Sequence, residues 1–307
     1  MSFCADVKNE LINIRPSACC KPSYIYGFML FGRSFSIKRI ALQTGNENVA
    51  KAYADLIKFN YGAEVKITCG GSKRPTYKAE VESASDRLKI LALIDFGINE
   101  TVIDRSLFLR ECCPLSFIRG AFLACGNIND PEKEYRAEFS VKNEALANDL
   151  DELLQQYDIF MKKTQRGTAT VLYTKDSSMI EDLLTLMGDT HRTLEIMDAK
   201  IMKSVKNKIN RQRNCDNANI TKTVEASLKQ RTAIEYLEQA DRLLSLPQEL
   251  LDAALLRKNN PEATLKELCK ISPTPITVSG LNHRLNKIIE IYEQSLPLEG
   301  KVSRSDG

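Results

Sequence analysis

The sequence predicts an α+β protein in which a doubled αββαββα unit precedes an all-α helix-turn-helix domain. Three observations carry that expectation. Cys19-Cys20, Ser23, Ile25, Gly27 and Leu30 return, 93 positions on, as Cys112-Cys113, Ser116, Ile118, Gly120 and Leu123. A repeat of that period sets an architecture before any local pattern is read. After each copy the pattern moves between the alternation of strands and helical spacing, and the β signal vanishes beyond about residue 190. The last stretch then holds three helical patterns, set apart by Asn259-Asn260-Pro261 and Ser272-Pro273-Thr274-Pro275.

Each lead helix is an apolar run with a glycine near its middle. Neither Tyr24 to Gly32 nor Gly120 to Gly126 holds a charge. Both fall far short of the roughly 20 residues a membrane span needs, so they read as buried helices and no membrane partner is expected. Glycine costs about 1 kcal/mol inside a helix. Its presence at matching places predicts two helices packed about a pseudo-twofold axis, with Gly27 and Gly120 at the contact and Ala124 one turn along the same face.

In chain order, Val7, Leu11 and Ile14 repeat at helical spacing and predict a helix over 3–15. The first lead helix covers about 22–32, followed by one strand over Ser34 to Gln43. Val49, Ala52, Tyr53, Leu56 and Ile57 give a helix over 46–59 an apolar side. Strands near 63–68 and 76–82 flank the turn Gly70 to Pro75, and a helix runs from Ser85 to Phe96. The second copy repeats this grammar: helix 114–126, strand 135–141, helix 144–157, strands 158–164 and 168–174 around Gln165-Arg166-Gly167, helix 177–187.

Arg119-Gly120-Ala121-Phe122-Leu123-Ala124-Cys125-Gly126 and Tyr26-Gly27-Phe28-Met29-Leu30-Phe31-Gly32 resemble the LAGLIDADG helix pair of homing endonucleases. That resemblance implies two antiparallel saddles behind the paired helices. It also implies, in active members, a metal-binding acid at the foot of each helix, the two metals clamping the scissile phosphate. Gly32 and Cys125 stand at those places and are not hard oxygen ligands. No catalytic residue and no cofactor are therefore expected.

Composition bounds the rest. A chain of 307 residues with 43% hydrophobic and 27% charged side chains is ordinary globular material for two domains or one large and one small. Met1 to Lys8 enters an amphipathic helix directly, so no secretory leader is expected. Nine cysteines, an odd number, then point to free thiols in a reducing cytoplasm. The net charge is +3, yet residues 200–231 hold nine Lys or Arg against two acids, which points to a polyanionic partner.

Within 191–245, Ile196, Ile201, Val205 and Ile209 lie on one helical flank with lysines around it. Asn210 to Asn219 is a basic, asparagine-rich piece with little to bury, and helix resumes from Thr221 to Leu243. Leu246-Pro247 opens the next segment, with Leu250, Leu251, Ala254 and Leu255 as its apolar side. Thr264 to Glu267 is a capping box. In the last helix Leu281, Leu285, Ile288 and Tyr292 form one stripe. The early residues of such a third helix reach base edges in a major groove. The candidate base-reading residues are Thr277, Ser279, Asn282, His283, Arg284, Asn286 and Lys287. The candidate backbone contacts are Lys203, Lys206, Lys208, Arg211, Arg213 and Lys266. Asparagine suits adenine, and arginine or lysine suits guanine.

A helix pair without its metal acids, a basic linker and a terminal helix-turn-helix together resemble the bacterial WhiA family of regulators, along essentially the whole chain. Arg119 to Ala124, Asn210 to Asn219 and Ser279 to Leu285 carry that resemblance. It implies a sequence-specific transcription factor on double-stranded DNA, active in sporulation or in cell division and chromosome segregation. It further implies a cytoplasmic, nucleoid-associated protein, with an RNA polymerase sigma factor or other division regulators as protein partners. The expected domains are 1–190, with repeats at 18–100 and 111–190, a helical linker at 191–245, the helix-turn-helix at 246–295 and a flexible tail at 296–307. A scaffold for division proteins and a residual metal-dependent nuclease are the competing readings.

Two further groups carry expectations. The Cys-Cys pairs brought together by a twofold would place four thiolates near one another, as zinc requires. Adjacent cysteines seldom share one ion, so buried small side chains are expected there and no metal. Lys38, Arg39, Lys66, Lys73, Arg74, Lys78, Lys162, Lys163 and Arg166 would supply part of a basic β surface.

Overall fold

Two repeats of one chain plan build the N-terminal unit, and the crossing of their lead helices holds it together. The structure, a computed structural model, describes residues 2–71, 75–94 and 102–296. The end of the helix expected to reach Phe96, the turn residues Lys73 and Arg74, and the tail from 297 lie outside the described residues. The chain divides into two compact units, residues 1–204 and 205–307, each with its own apolar core.

In the first unit, α1 (Phe3–Asn13) starts at Ser2, whose hydroxyl accepts from the Ala5 amide. The lead helix α2 (Lys21–Leu30) is followed by β1 (Ser34–Ser36) and β2 (Arg39–Thr44), then α3 (Glu47–Tyr61), β3 (Val65–Gly70), β4 (Thr76–Val81) and α4 (Ala84–Leu93). The second repeat runs α5 (Cys113–Cys125), β5 (Gly126–Ile128), β6 (Ala137–Val141), α6 (Glu144–Gln155), β7 (Lys162–Arg166), β8 (Ala169–Thr174) and α7 (Ser177–Met187). Both sheets are antiparallel and have one strand order, β1-β2-β4-β3 and β5-β6-β8-β7. Identical order in two sheets is the structural form of the 93-residue repeat.

The lead helices form the most extensive helix–helix contact of the unit, and the glycines are the reason. A methyl on Gly27 would overlap the Phe117 carbonyl oxygen and sit 3.1 Å from its carbon. A methyl on Gly120 would overlap the Tyr24 carbonyl oxygen and sit 2.8 Å from the Phe28 amide. Each glycine is thus pressed on the other helix's backbone, at a carbonyl three residues before its partner glycine. Ala124 is only half-buried and lies against the core edge. Tyr26, Phe28, Phe117 and Phe122 close over the crossing, all essentially inaccessible, with Tyr26 and Phe117 ring centroids 5.5 Å apart.

Two local expectations are corrected. The strand over Ser34 to Gln43 is a hairpin: β1 and β2 pair through a turn at Ile37-Lys38, where the Ser36 hydroxyl accepts from the Arg39 amide at 3.2 Å. No Gly, Pro or Asn marks that turn. The strand expected from 158 starts at Lys162. Asp158 adopts φ 59°, and the Ile159 amide donates back to the Leu154 carbonyl at 3.2 Å, so these residues close α6 instead.

The break expected at Asn210 to Asn219 is absent. Residues Thr190–Gln239 form one helix, α8. Its first turns belong to the N-terminal unit: Ile196 is fully buried there, and Arg192 Nε donates to Glu10 Oε1 at 2.7 Å. From Lys206 to Ala226 every residue is exposed. Ala233, Ile234 and Leu237, near its other end, enter the core of the second unit. Among the described residues, α9 (Gln248–Asn259), α10 (Leu265–Ile271) and α11 (Val278–Ser295) follow in that unit, after a short 3-10 turn at Leu243–Ser245.

Candidate nucleic-acid interface

The second unit is organised so that one flank of α11 is fixed and the other is free. Leu281, Leu285 and Ile288 return every three or four residues, and each is 1% exposed or less. They pack with Ala253 and Ala254 of α9 and Leu268 of α10. Tyr292, also expected in this stripe, is half-buried and meets Tyr236 edge-on at 5.1 Å. The opposite flank presents Ser279, Asn282, His283, Asn286 and Lys287, all exposed. These occupy i, i+3, i+4, i+7 and i+8, a continuous polar stripe starting in the first turn.

Local chemistry fixes the ends of α10 and α11. Thr264 and Glu267 make a reciprocal capping box: Oγ1 accepts from the Glu267 amide at 3.3 Å, and Glu267 Oε2 accepts from the Thr264 amide at 2.7 Å. Thr264→Ala should destabilise this unit by about 1 kcal/mol. Urea unfolding followed by hydrogen exchange in α10 checks it. An unchanged midpoint would show the cap to be idle.

Two sequence-predicted base readers are already engaged. Thr277 is the N-cap of α11, its Oγ1 accepting from the Gly280 amide at 3.1 Å. Arg284 lies three residues from Leu281 and four from Ile288, so it falls on the packed flank. Its Nη2 is 2.9 Å from Glu249 Oε2 of α9. Arg284 therefore bridges α11 and α9 of its own unit and lies apart from the exposed stripe. Among the backbone candidates, Lys206, Lys208, Arg211, Arg213 and Lys266 are exposed. Lys203 is not free: its ammonium donates to the Pro131 carbonyl at 2.7 Å and lies 4.3 Å from the Tyr135 ring centre.

Sequence reasoning missed Arg257. It is 2% exposed, with Nε donating to Gln230 Oε1 at 2.8 Å and Nη1 to the Ala263 carbonyl at 2.6 Å. It ties α8 to the loop between α9 and α10. Its spacing of three and four from Ala254 and Ala253 was the available signal.

The β surfaces of the first unit are largely neutralised. Arg39 Nε is 3.0 Å from Glu80 Oε1, Lys78 also pairs with Glu80, and Lys66 is 2.7 Å from Glu82. Arg166 and Arg136 both hold Glu138, at 2.9 and 2.8 Å, and Lys163 donates to Asn148. Lys38 and Lys162 remain exposed.

At the foot of the lead helices lies a cavity of about 490 Å³ lined by Gly32, Cys125, Arg33, Lys142 and Ser140, among others. Burial pushes the Cys125 thiol up to about 12, against the lowering influence of Lys8. It is thus a neutral thiol where a nuclease would hold a carboxylate. Burial, with Arg33 and Arg39 beside it, lowers the Lys142 pKa. The donor set is cationic or neutral, which does not fit a hard divalent metal.

The model of the WhiA LAGLIDADG-like domain matches residues 115–206, and that of the WhiA C-terminal HTH domain matches 209–292. The "Probable cell division protein WhiA" of Carboxydothermus hydrogenoformans is 35% identical over 304 residues, covering 96% of this chain and 98% of its own. The protein of the same description from Ruminiclostridium cellulolyticum is 34% identical over 306 residues, with the same coverage. Among solved structures, full-length DUF199/WhiA from Thermatoga maritima aligns with 96% of this chain and 99% of its own, at TM-score 0.57 and 25% identity.

Proposed function

Because the chain belongs to the WhiA family, we propose that it is a sequence-specific DNA-binding transcriptional regulator serving cell division and chromosome segregation, with no nuclease activity. One observation supports this reading above the others. A helix whose packed flank is fully buried presents five exposed polar side chains in a row from its first turn. Such a helix fits a major groove, and its early side chains meet base edges. Asn282 and Asn286 offer paired donor and acceptor atoms to adenine, and Lys287 offers a donor to guanine. Lys206, Lys208, Arg211 and Arg213 supply phosphate contacts that fix position and carry no sequence information. The double-stranded partner is thus read by α11 and held by α8. Loss of cleavage follows from Gly32 and Cys125, which offer no carboxylate to a metal.

The test selects duplexes from a random pool with the full chain, then compares the selected site with a scrambled one. Asn282→Ala should lose about 1–3 kcal/mol of discrimination between them. Lys206→Ala and Arg213→Ala should weaken both duplexes alike and each lower the salt slope by about one. Uniform loss for all three variants would overturn the assignment of base reading to α11. Magnesium-dependent nicking of the selected duplex would overturn the non-enzymatic reading.

A further inference from the structure

The crossing of α2 and α5 brings the two Cys-Cys pairs face to face at the N-terminal ends of both helices. The sulfurs of Cys19, Cys20, Cys112 and Cys113 all lie within 4.8 Å of one another. Cys19 Sγ is 3.8 Å from Cys20 Sγ and 3.7 Å from Cys112 Sγ, and Cys20 Sγ is 3.2 Å from Cys112 Sγ. With Zn–S near 2.3 Å, the edge of a zinc tetrathiolate is roughly 3.8 Å. The adjacent pair Cys19-Cys20 already spans such an edge, so adjacency in sequence is no obstacle here. The fourth thiol, Cys113, donates to the Cys19 carbonyl at 3.2 Å and completes the group.

The surroundings favour a negative charge. Cys20 and Cys112 cap α2 and α5, and neither helix has a side-chain cap for its first amides. The partial positive charge of two helix ends therefore converges on the sulfurs. Arg119, 5% exposed, lines with Cys20 and Cys112 a cavity of about 220 Å³. Its guanidinium lies over the Tyr24 ring at 5.1 Å, and Nη1 donates to the Met187 carbonyl at 3.3 Å. Its Nε is buried without a hydrogen-bond partner, and among the described residues no carboxylate pairs with it. A buried cation in that state calls for an anion beside it.

We propose that Cys19, Cys20, Cys112 and Cys113 form a tetrathiolate site for one thiophilic divalent cation, Zn²⁺, which joins the starts of the two lead helices. On binding, each thiol releases its proton to solvent as its S–Zn bond forms, four protons per ion. The resulting complex carries a net charge of −2, which Arg119 and the two helix ends offset. A Cys20–Cys112 disulfide would use only two of the four thiols, would be neutral, and would leave Arg119 without an anion. An iron–sulfur cube interposes iron and sulfide between its cysteines and does not suit edges of this length.

The experiment uses the full chain, untagged and purified without chelator. Elemental analysis should find about one zinc per chain, and mercurial treatment should release it to a chromogenic dye. Cobalt added to chelator-stripped protein should give the intense visible bands of a tetrahedral thiolate complex. Cys19→Ser/Cys112→Ser should lose roughly nine-tenths of the zinc, whereas Cys215→Ser, on the exposed part of α8, should keep all of it. Should the double variant fail to fold, zinc content and the cobalt spectrum of the unaltered chain decide the matter. Zinc far below stoichiometry with four alkylatable thiols overturns the proposal. So does a Cys20–Cys112 disulfide in protein trapped by alkylation at lysis, or zinc that survives in the double variant.

Discussion

Gly120→Ala is expected to cost the N-terminal unit about 3 kcal/mol or more, against a total of about 5–15 kcal/mol for a typical domain. The methyl would overlap the Tyr24 carbonyl oxygen and approach the Phe28 amide to 2.8 Å. Those are main-chain atoms in the middle of α2, so no rotamer change relieves the clash. The helices must separate, and the aromatic side chains closed over the crossing lose contact with one another. Gly27→Ala should behave alike, since its methyl would strike the Phe117 carbonyl. Gly45→Ala is the control: its methyl would meet nothing nearer than the Pro75 oxygen at 3.9 Å. Hydrogen exchange in α2 and α5, with urea unfolding of the full chain, measures the difference. Protection equal to the parent in Gly120→Ala would show that the helices do not cross there.

Arg257→Ala should cost the second unit a comparable amount, about 3 kcal/mol, for a different reason. Three hydrogen bonds from a charged donor disappear, leaving Gln230 Oε1 and the Asn260 and Ala263 carbonyls without their donor. A buried acceptor stripped of its donor costs about 1–3 kcal/mol, and the cavity left by the aliphatic stem adds to that. Arg257→Lys should rescue little, because an ammonium cannot reproduce two donors fixed in a planar fork. The expected readout is lost exchange protection in α9, α10 and α11, with α2 and α5 unchanged. Weaker DNA binding should follow, since the free stripe of α11 keeps its orientation only while the packed stripe holds. Full protection in Arg257→Ala would show the arginine to be dispensable.

What could be read in the sequence was governed by how strongly each feature constrains its neighbours. The doubled unit was legible because Cys-Cys and glycine recur in one register, and few environments tolerate a glycine inside an apolar helix. The capping box at Thr264 was legible because its chemistry is local. The β1–β2 hairpin was not, because Ile37-Lys38 carries no turn residue and β1, Ser34–Ser36, is too short to show an alternation of its own. The short β5 follows α5 without a break, so periodicity has nothing to work on. The continuity of α8 was hidden by Asn210, Asn214, Asn217 and Asn219, poor helix formers that here lie fully exposed. Arg284 is counted with the free residues, although helical arithmetic from Leu281 and Ile288 puts it beside the packed flank. Its ion pair with Glu249 depends on α9, which no spacing within α11 reveals. For the cysteines the repeat brings the two pairs together, whereas the 3.8 Å separation of Cys19 and Cys20 Sγ is a matter of helix-start geometry that no spacing carries.

The way Gly27 and Gly120 meet has a consequence for how the repeats age. Each bears on a main-chain oxygen of the opposite helix, Phe117 or Tyr24, and a carbonyl is the same whatever residue supplies it. The seam is therefore written in atoms that mutation does not alter. One copy can have Tyr24 where the other has Phe117, and Phe28 where the other has Ala121, without disturbing the join. Sequence identity between the copies can erode around the two glycines while their symmetry stays.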